Sequence, residues 1–116
     1  MVEIDLICPW LDEKDPAWQQ ERNQYASPEL YNSECMFREW ELMRYWFRGV
    51  ERALPWIRKV HFVTWGHLPP WLNTEHPKLN IVRHEEFIPK AYLPTFNSIV
   101  ISVNIHRIPG LAEQFI

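Results

Sequence analysis

Three groupings of side chains in this sequence combine residue types and spacings that could do chemistry. Trp10 and Asp12 follow directly on the apolar run Val2–Cys8, where an aromatic ring beside a carboxylate can stack on a flat ligand and accept its hydrogen bonds. If that run is a strand, the pair stands at the end of an open α/β sheet where ligands commonly bind; the alternative is a Trp that packs its own loop. Arg44 and Arg48 are four apart, so a helix would present both guanidiniums on one face and could clamp phosphate oxygens. The competing reading is a solvated face paired with Glu41 and Glu51, and Arg38 is a secondary candidate on the same stretch. His106 and Arg107 are adjacent and suit acid–base work or phosphate binding, although a lone histidine is more often structural. His61, His67, His76 and His84 lack tight ligand spacing, which argues against a zinc site.

The elements that must position these groups can be read from periodicity. Val2 to Cys8, interrupted by Glu3 and Asp5 and closed by Pro9, reads as a first strand. Asp15-Pro16 is a helix start, with Asp as cap and Pro at the first helical position, leading into a short polar helix over Ala17 to Tyr25. After a Ser27-Pro28 break, Leu42, Trp46, Val50 and Leu54 recur every four residues and predict an amphipathic helix between Arg38 and Leu54. Gly49 weakens that helix by about 1 kcal/mol relative to Ala, and Pro55 ends it. Lys59 to Trp65 reads as a mostly buried second strand closed by Gly66, Pro69-Pro70-Trp71 as a stiff loop, and Leu79 to Val82 as a short third strand. The order strand, helices, strand, loop, strand predicts an α/β layer with a mostly parallel sheet.

Asn97 to Ile108 sets two local rules against each other. Ile99, Ile101, Val103 and Ile105 alternate with Val100, Ser102, Asn104 and His106, which by period and β-branching predicts a strand. The Asn97-Ser98 start would equally cap a helix, and Pro109-Gly110 would stop either element.

Composition narrows the function classes. A chain of 116 residues has room for one core and therefore reads as a single domain over residues 1–116. Its 47% hydrophobic and 23% charged residues belong to an ordinary globular protein, not a disordered one. With 7 Trp and 10 Pro against 3 Gly, the loops should be stiff and aromatic-lined, as suits a ligand cleft. The net charge of −3 argues against sequence-independent nucleic-acid binding. Cys8 and Cys35 form neither a metal spacing nor a disulfide framework, and no apolar run is long enough to span a membrane. A cytoplasmic protein, free or peripherally membrane-associated, is the expectation.

Read in order, Ile4-Asp5-Leu6-Ile7, Pro9-Trp10-Leu11-Asp12 and Asp15-Pro16-Ala17-Trp18 resemble the first conserved region of the Stealth proteins. The stretch from Arg38 to Asn73, then His76 to Pro89, Tyr92 to Ser98 (YLPTFNS) and His106 to Leu111 (HRIPGL) resembles the second, with order, spacing and rare residue types agreeing across nearly the whole chain. The wording YWFRGVE and HFVTWGHLP is closer to the bacterial branch.

This resemblance implies a nucleotide-sugar-transferase-like, Rossmann-like α/β fold, incomplete at its C-terminus, and tips Asn97 to Ile108 toward helix. It also implies transfer of a sugar 1-phosphate from a nucleotide-sugar donor, a UDP-sugar for preference, to a glycan hydroxyl in capsular or exopolysaccharide synthesis. The resemblance places Trp10, Asp12, Arg44, Arg48, Asn97 and Ser98 in the donor-binding set and His106 and Arg107 in the catalytic set, with Phe96 supporting from the core. Magnesium or manganese is expected for the complete enzyme. Relatives carry it on an Asn-Asp-Asp motif beyond the point matching Phe115-Ile116, so this chain alone should bind no metal and turn over no substrate. Glu13 stands where the family has Gly, and Ile99 and Ser102 where it tends to carry His and Glu. The alternative is a non-catalytic nucleotide-sugar-binding or interaction module. An unfinished sheet would expose an edge, so self-association is a further expectation.

Overall fold

The computed structural model describes residues 2–25 and 41–116, and Arg38, Cys35 and the Ser27-Pro28 break lie outside them. The chain divides into two compact units, Met1–Leu11 with Trp56–Ile116, and Asp12–Pro55.

The first unit is built on four parallel strands, β1 (Ile4–Pro9), β2 (Val60–Thr64), β3 (Leu79–Arg83) and β4 (Gln114–Phe115), in the order β3-β2-β1-β4. The expected α/β arrangement with parallel pairing therefore holds, and the sheet is open. Registers run Leu6↔Val60 to Pro9↔Val63 and Val60↔Leu79 to Thr64↔Arg83. The three strands anticipated from sequence are present within a residue or two; the two-residue β4 was not anticipated. All five residues of β2 are buried, as its lack of a polar face requires of a central strand.

Residues 97–108 are not a strand. Asn97 caps α3 (Ser98–Asn104), its Oδ1 accepting the Ile99 N–H at 2.9 Å, and a 3-10 turn, Ile105–Arg107, continues the element. Alternation fails as a predictor because Val100, Ile101 and Ile105 recur at helical spacing and pack on Val63, Val82, Phe87, Ile88 and Ile108. Each fully buried apolar side chain in such a cluster contributes about 1.5–3 kcal/mol. The cap decides the local choice, and the core retains it.

The second unit contains α1 (Pro16–Tyr25) and α2 (Met43–Ala53). Asp15 caps α1 as expected, with Oδ1 accepting the Ala17 N–H at 2.9 Å. Trp18 is buried, with the Arg22 guanidinium 5.5 Å from its ring centroid. On α2 the four-residue stripe is real in sequence, yet no residue of the helix is fully buried. The exposed pair Lys14 Nζ–Glu41 Oε1, 3.0 Å apart, joins the segment before α1 to the residue that leads into α2.

Candidate functional site

An open parallel sheet offers a crevice at the carboxyl ends of its strands, at the place where successive strands are added on opposite sides. In the order β3-β2-β1-β4 that place is β1, flanked by β2 on one side and β4 on the other. The carboxyl end of β1 delivers Trp10. Its backbone N–H donates to the Val63 carbonyl at 2.9 Å, which extends the ladder by one residue and fixes the indole. The ring lies 5.6 Å from Phe62, centroid to centroid, and meets His67 nearly edge-on at 5.4 Å. Trp10 is half-buried, so it is held by its neighbours while part of it reaches solvent.

The end of β2 is equally ordered. Thr64 Oγ1 donates to the His67 carbonyl at 2.6 Å and accepts from the Gly66 N–H at 3.2 Å, shaping the turn that sets His67 beside Trp10. Gly66 has φ +133°, which an L side chain rarely adopts, and a Cβ there would stand 3.1 Å from Arg83 Nη2. At the end of β3, Arg83 Nε donates to Glu85 Oε1 at 2.8 Å. His84 follows, 7% exposed, with its ring 5.6 Å from Trp65. Its Nδ1 has no hydrogen-bond partner. Burial, reinforced by the charge of His67, pushes the His84 pKa down to about 4, so the ring is neutral at physiological pH.

Of the residues singled out in sequence, Trp10, Asn97, Ser98, His106 and Arg107 belong to the sheet unit; Asp12, Arg44 and Arg48 belong to the helical unit. Asp12 Oδ1 accepts the Lys14 N–H at 2.9 Å. Arg44 and Arg48 are both exposed on α2, and the Arg48 guanidinium lies 5.7 Å from the Tyr45 ring centroid. Glu41 pairs with Lys14, and the Arg44 charge also acts on its carboxylate. Asn97 and Ser98 open α3, while His106 and Arg107 fall in the turn after it. With a rise of ~1.5 Å per residue the two pairs stand roughly 13 Å apart, at opposite ends of one element. They do not converge.

His67 and His84 are the residues that sequence reasoning passed over. The spacing between histidines carries no sign of them; their signal is position, each just beyond the carboxyl end of a strand.

No three or more His, Cys, Asp or Glu among the described residues are grouped to hold a metal ion. The Asp5 carboxylate is already occupied by Arg58, His61 and the Ala112 N–H. The set on hand does not fit a hard divalent cation, which takes convergent oxygen ligands. Cys8 is buried, and burial pushes its thiol up to about 11, so it is no nucleophile at neutral pH.

Residues 36–116 match the profile described as Stealth protein CR2, conserved region 2. A capsular polysaccharide phosphotransferase WcwK of Streptococcus pneumoniae is 48% identical over 97% of this chain and 35% of its own length. The capsular polysaccharide phosphotransferase eps5J of Streptococcus thermophilus is 46% identical over 97% of the chain and 50% of its own length. A receptor polysaccharide phosphotransferase WefC of Streptococcus gordonii is 44% identical over the whole chain and 37% of its own length. The chain thus spans between a third and a half of these relatives. The profile match and the identity together place this chain in the Stealth family.

Proposed function

We propose that this chain is the donor-binding part of a sugar-phosphate transferase that takes a sugar 1-phosphate from a nucleotide-sugar, a UDP-sugar for preference, and delivers it to a glycan hydroxyl in capsular or exopolysaccharide synthesis. The observation that carries the reading is Trp10, fixed by backbone and ring contacts at the carboxyl end of β1, beside which the sheet order reverses. A half-exposed indole there is a stacking platform for a flat base. The relatives' names point to the phosphotransferase class and to polysaccharide.

In this reading Trp10 receives the base, and Ser98, exposed on the first turn of α3, offers a hydroxyl to the donor. Asn97 spends its side-chain oxygen on the helix and contributes by holding that turn. Taken by itself, the helical unit carries Arg44 and Arg48 four apart on α2, a pair suited to phosphate oxygens, and Asp12, whose Oδ1 accepts the Lys14 N–H. His106 and Arg107 are assigned proton handling and phosphate contact. Magnesium or manganese in the whole enzyme would neutralise the departing nucleotide, and the described residues do not form its site.

Calorimetric titration of the purified chain with UDP and UDP-N-acetylglucosamine, with and without magnesium, tests this directly. Saturable binding that Trp10→Ala abolishes is the expected result. Absence of binding under all four conditions overturns the donor-site reading and moves the chain toward a partner-docking module.

A further inference from the structure

A densely bonded side chain lies at the other end of the sheet unit. Asp5, the second residue of β1, is 0% exposed. Its Oδ1 accepts from Arg58 Nε at 2.9 Å, and its Oδ2 accepts from Arg58 Nη2 at 2.6 Å, His61 Nε2 at 2.7 Å and the Ala112 N–H at 2.9 Å. Arg58 Nη2 also donates to the Gly110 carbonyl at 2.8 Å. His61 Nδ1 faces Asn80 Nδ2 at 3.0 Å, so the network assigns the ring hydrogen to Nε2 and leaves Nδ1 as the acceptor. One carboxylate thus ties β1 to the segment before β2, to β2 itself and to the turn that feeds β4, with β3 joined through Asn80.

The turn at residues 110–112 is also held by Leu111, whose N–H donates to the Ile108 carbonyl at 3.3 Å and whose side chain packs on the core cluster. β4 pairs with β1 over only Ile4↔Gln114 and Asp5↔Phe115, with the Ile7 N–H donating to the Ile116 carbonyl and the Ile116 N–H to the Asp5 carbonyl. Both β4 residues are exposed. A two-residue ladder with little apolar burial is not stable by its own contacts. The side-chain clasp beneath it is charge-assisted and partly shielded from water, with Asp5 fully buried and Arg58 reaching the surface.

We propose that Asp5, acting with Arg58, is a positioning residue: the clasp holds the 110–112 turn and thereby keeps β4 in register along the amino-terminal half of β1, the strand whose carboxyl end carries Trp10. The proposal rests on the donor-site reading for its functional half. Its structural half stands on the hydrogen bonds alone. Asp5 acts only through β4 and touches no ligand.

Amide hydrogen exchange and UDP titration on the wild-type chain, Asp5→Asn and Arg58→Gln test both halves. Asp5→Asn keeps the shape but removes the charge that three donors share at Oδ2. The Ile7 and Ile116 amides should then exchange on the order of 10- to 100-fold faster, the range that loss of a charge-assisted hydrogen bond predicts, while the Phe62 and Val63 amides stay protected. UDP affinity should fall along with the β4 protection. Arg58→Gln alters a residue nearer the surface and should show the same pattern more weakly; it carries the test if Asp5→Asn does not fold. Uniform loss of protection across the sheet, or no change at β4, overturns the clasp. Loosened β4 with unchanged UDP affinity overturns the positioning role. A wild-type chain that binds no UDP removes the donor-site reading and the positioning role with it, while the exchange pattern still decides whether the clasp exists.

Discussion

Replacing His84 by Phe should flatten the acid side of the stability curve. The ring stays neutral in the folded chain because burial and the nearby His67 charge hold its pKa at about 4, against 6.5 for an ordinary histidine. In the unfolded chain the same group takes up a proton near the ordinary value. Below pH 6.5 the unfolded state therefore binds more protons than the folded one, and stability falls as pH drops. The fall begins near 6.5 and is complete near 4, where the folded ring also protonates. The gap between those values corresponds to about 3 kcal/mol at 1.36 kcal/mol per pH unit. Reduced for partial solvent screening, about 2–3 kcal/mol is expected. Phe suits the site, since the ring lies against Trp65 and Nδ1 has no partner to lose. Urea denaturation followed by Trp fluorescence at pH 7, 6, 5 and 4 gives the curve for each protein. The wild type should lose about 2–3 kcal/mol more than His84→Phe across that window. Parallel curves would show that His84 protonates in the folded chain as readily as in the unfolded one, and would refute the account of its burial.

Other expectations follow from single contacts. Gly66→Ala forces a side chain onto a φ of +133° and within 3.1 Å of Arg83 Nη2, so thermal unfolding should report a loss of about 1–3 kcal/mol. Asn97→Ala removes the α3 cap and should cost about 1 kcal/mol, with Asn97→Asp retaining most of it. Phe62→Ala empties a fully buried position in the central strand, where a loss of about 3–5 kcal/mol in denaturant titration is expected. For Asp5, burial works to raise the pKa, but the hydrogen bonds from Arg58, His61 and Ala112 and the Arg58 charge outweigh it and hold the carboxyl below its ordinary 3.8. Its contribution is present above that value and is lost as pH falls through the lower folded one; acid titration of the Ile116 amide should therefore show β4 protection persisting to at least pH 3.8, and loss above that pH would contradict the assignment.

Much of the sheet was legible because strands announce themselves locally. Val60–Thr64 has apolar residues on both faces and reads as a mostly buried strand, and Asp15-Pro16 specified a helix start through cap and ring chemistry alone. Residues 97–108 were not legible by period, because Ile and Val alternate there for reasons unrelated to a pleat and the deciding contacts are to Val63 and Val82, far off in sequence. β4 escaped notice because two residues carry no pattern, and its pairing depends on Asp5, 107 positions from Ala112. The site divides in the same way. Trp10 could be placed from the end of a strand, while His67 and His84 gained meaning only when β2 and β3 set their carboxyl ends beside β1. Asp5 looked like a polar interruption in an apolar run because the guanidinium that matches it lies 53 residues away.

Those separations also set an order of assembly. Of the described strands β1 comes first, but its parallel partner β2 follows only after a crossover of about fifty residues, and β4 later still. Closing such loops costs entropy that grows slowly with length, so contacts of this kind form late and folding is slow relative to a chain of local hairpins. Without Arg58 and His61 the Asp5 carboxylate has no partner to offset its burial, and an uncompensated charge of that kind disfavours pairing of a strand edge to edge with a neighbouring chain. The same side chain that later locks the sheet thus protects its first strand while it waits.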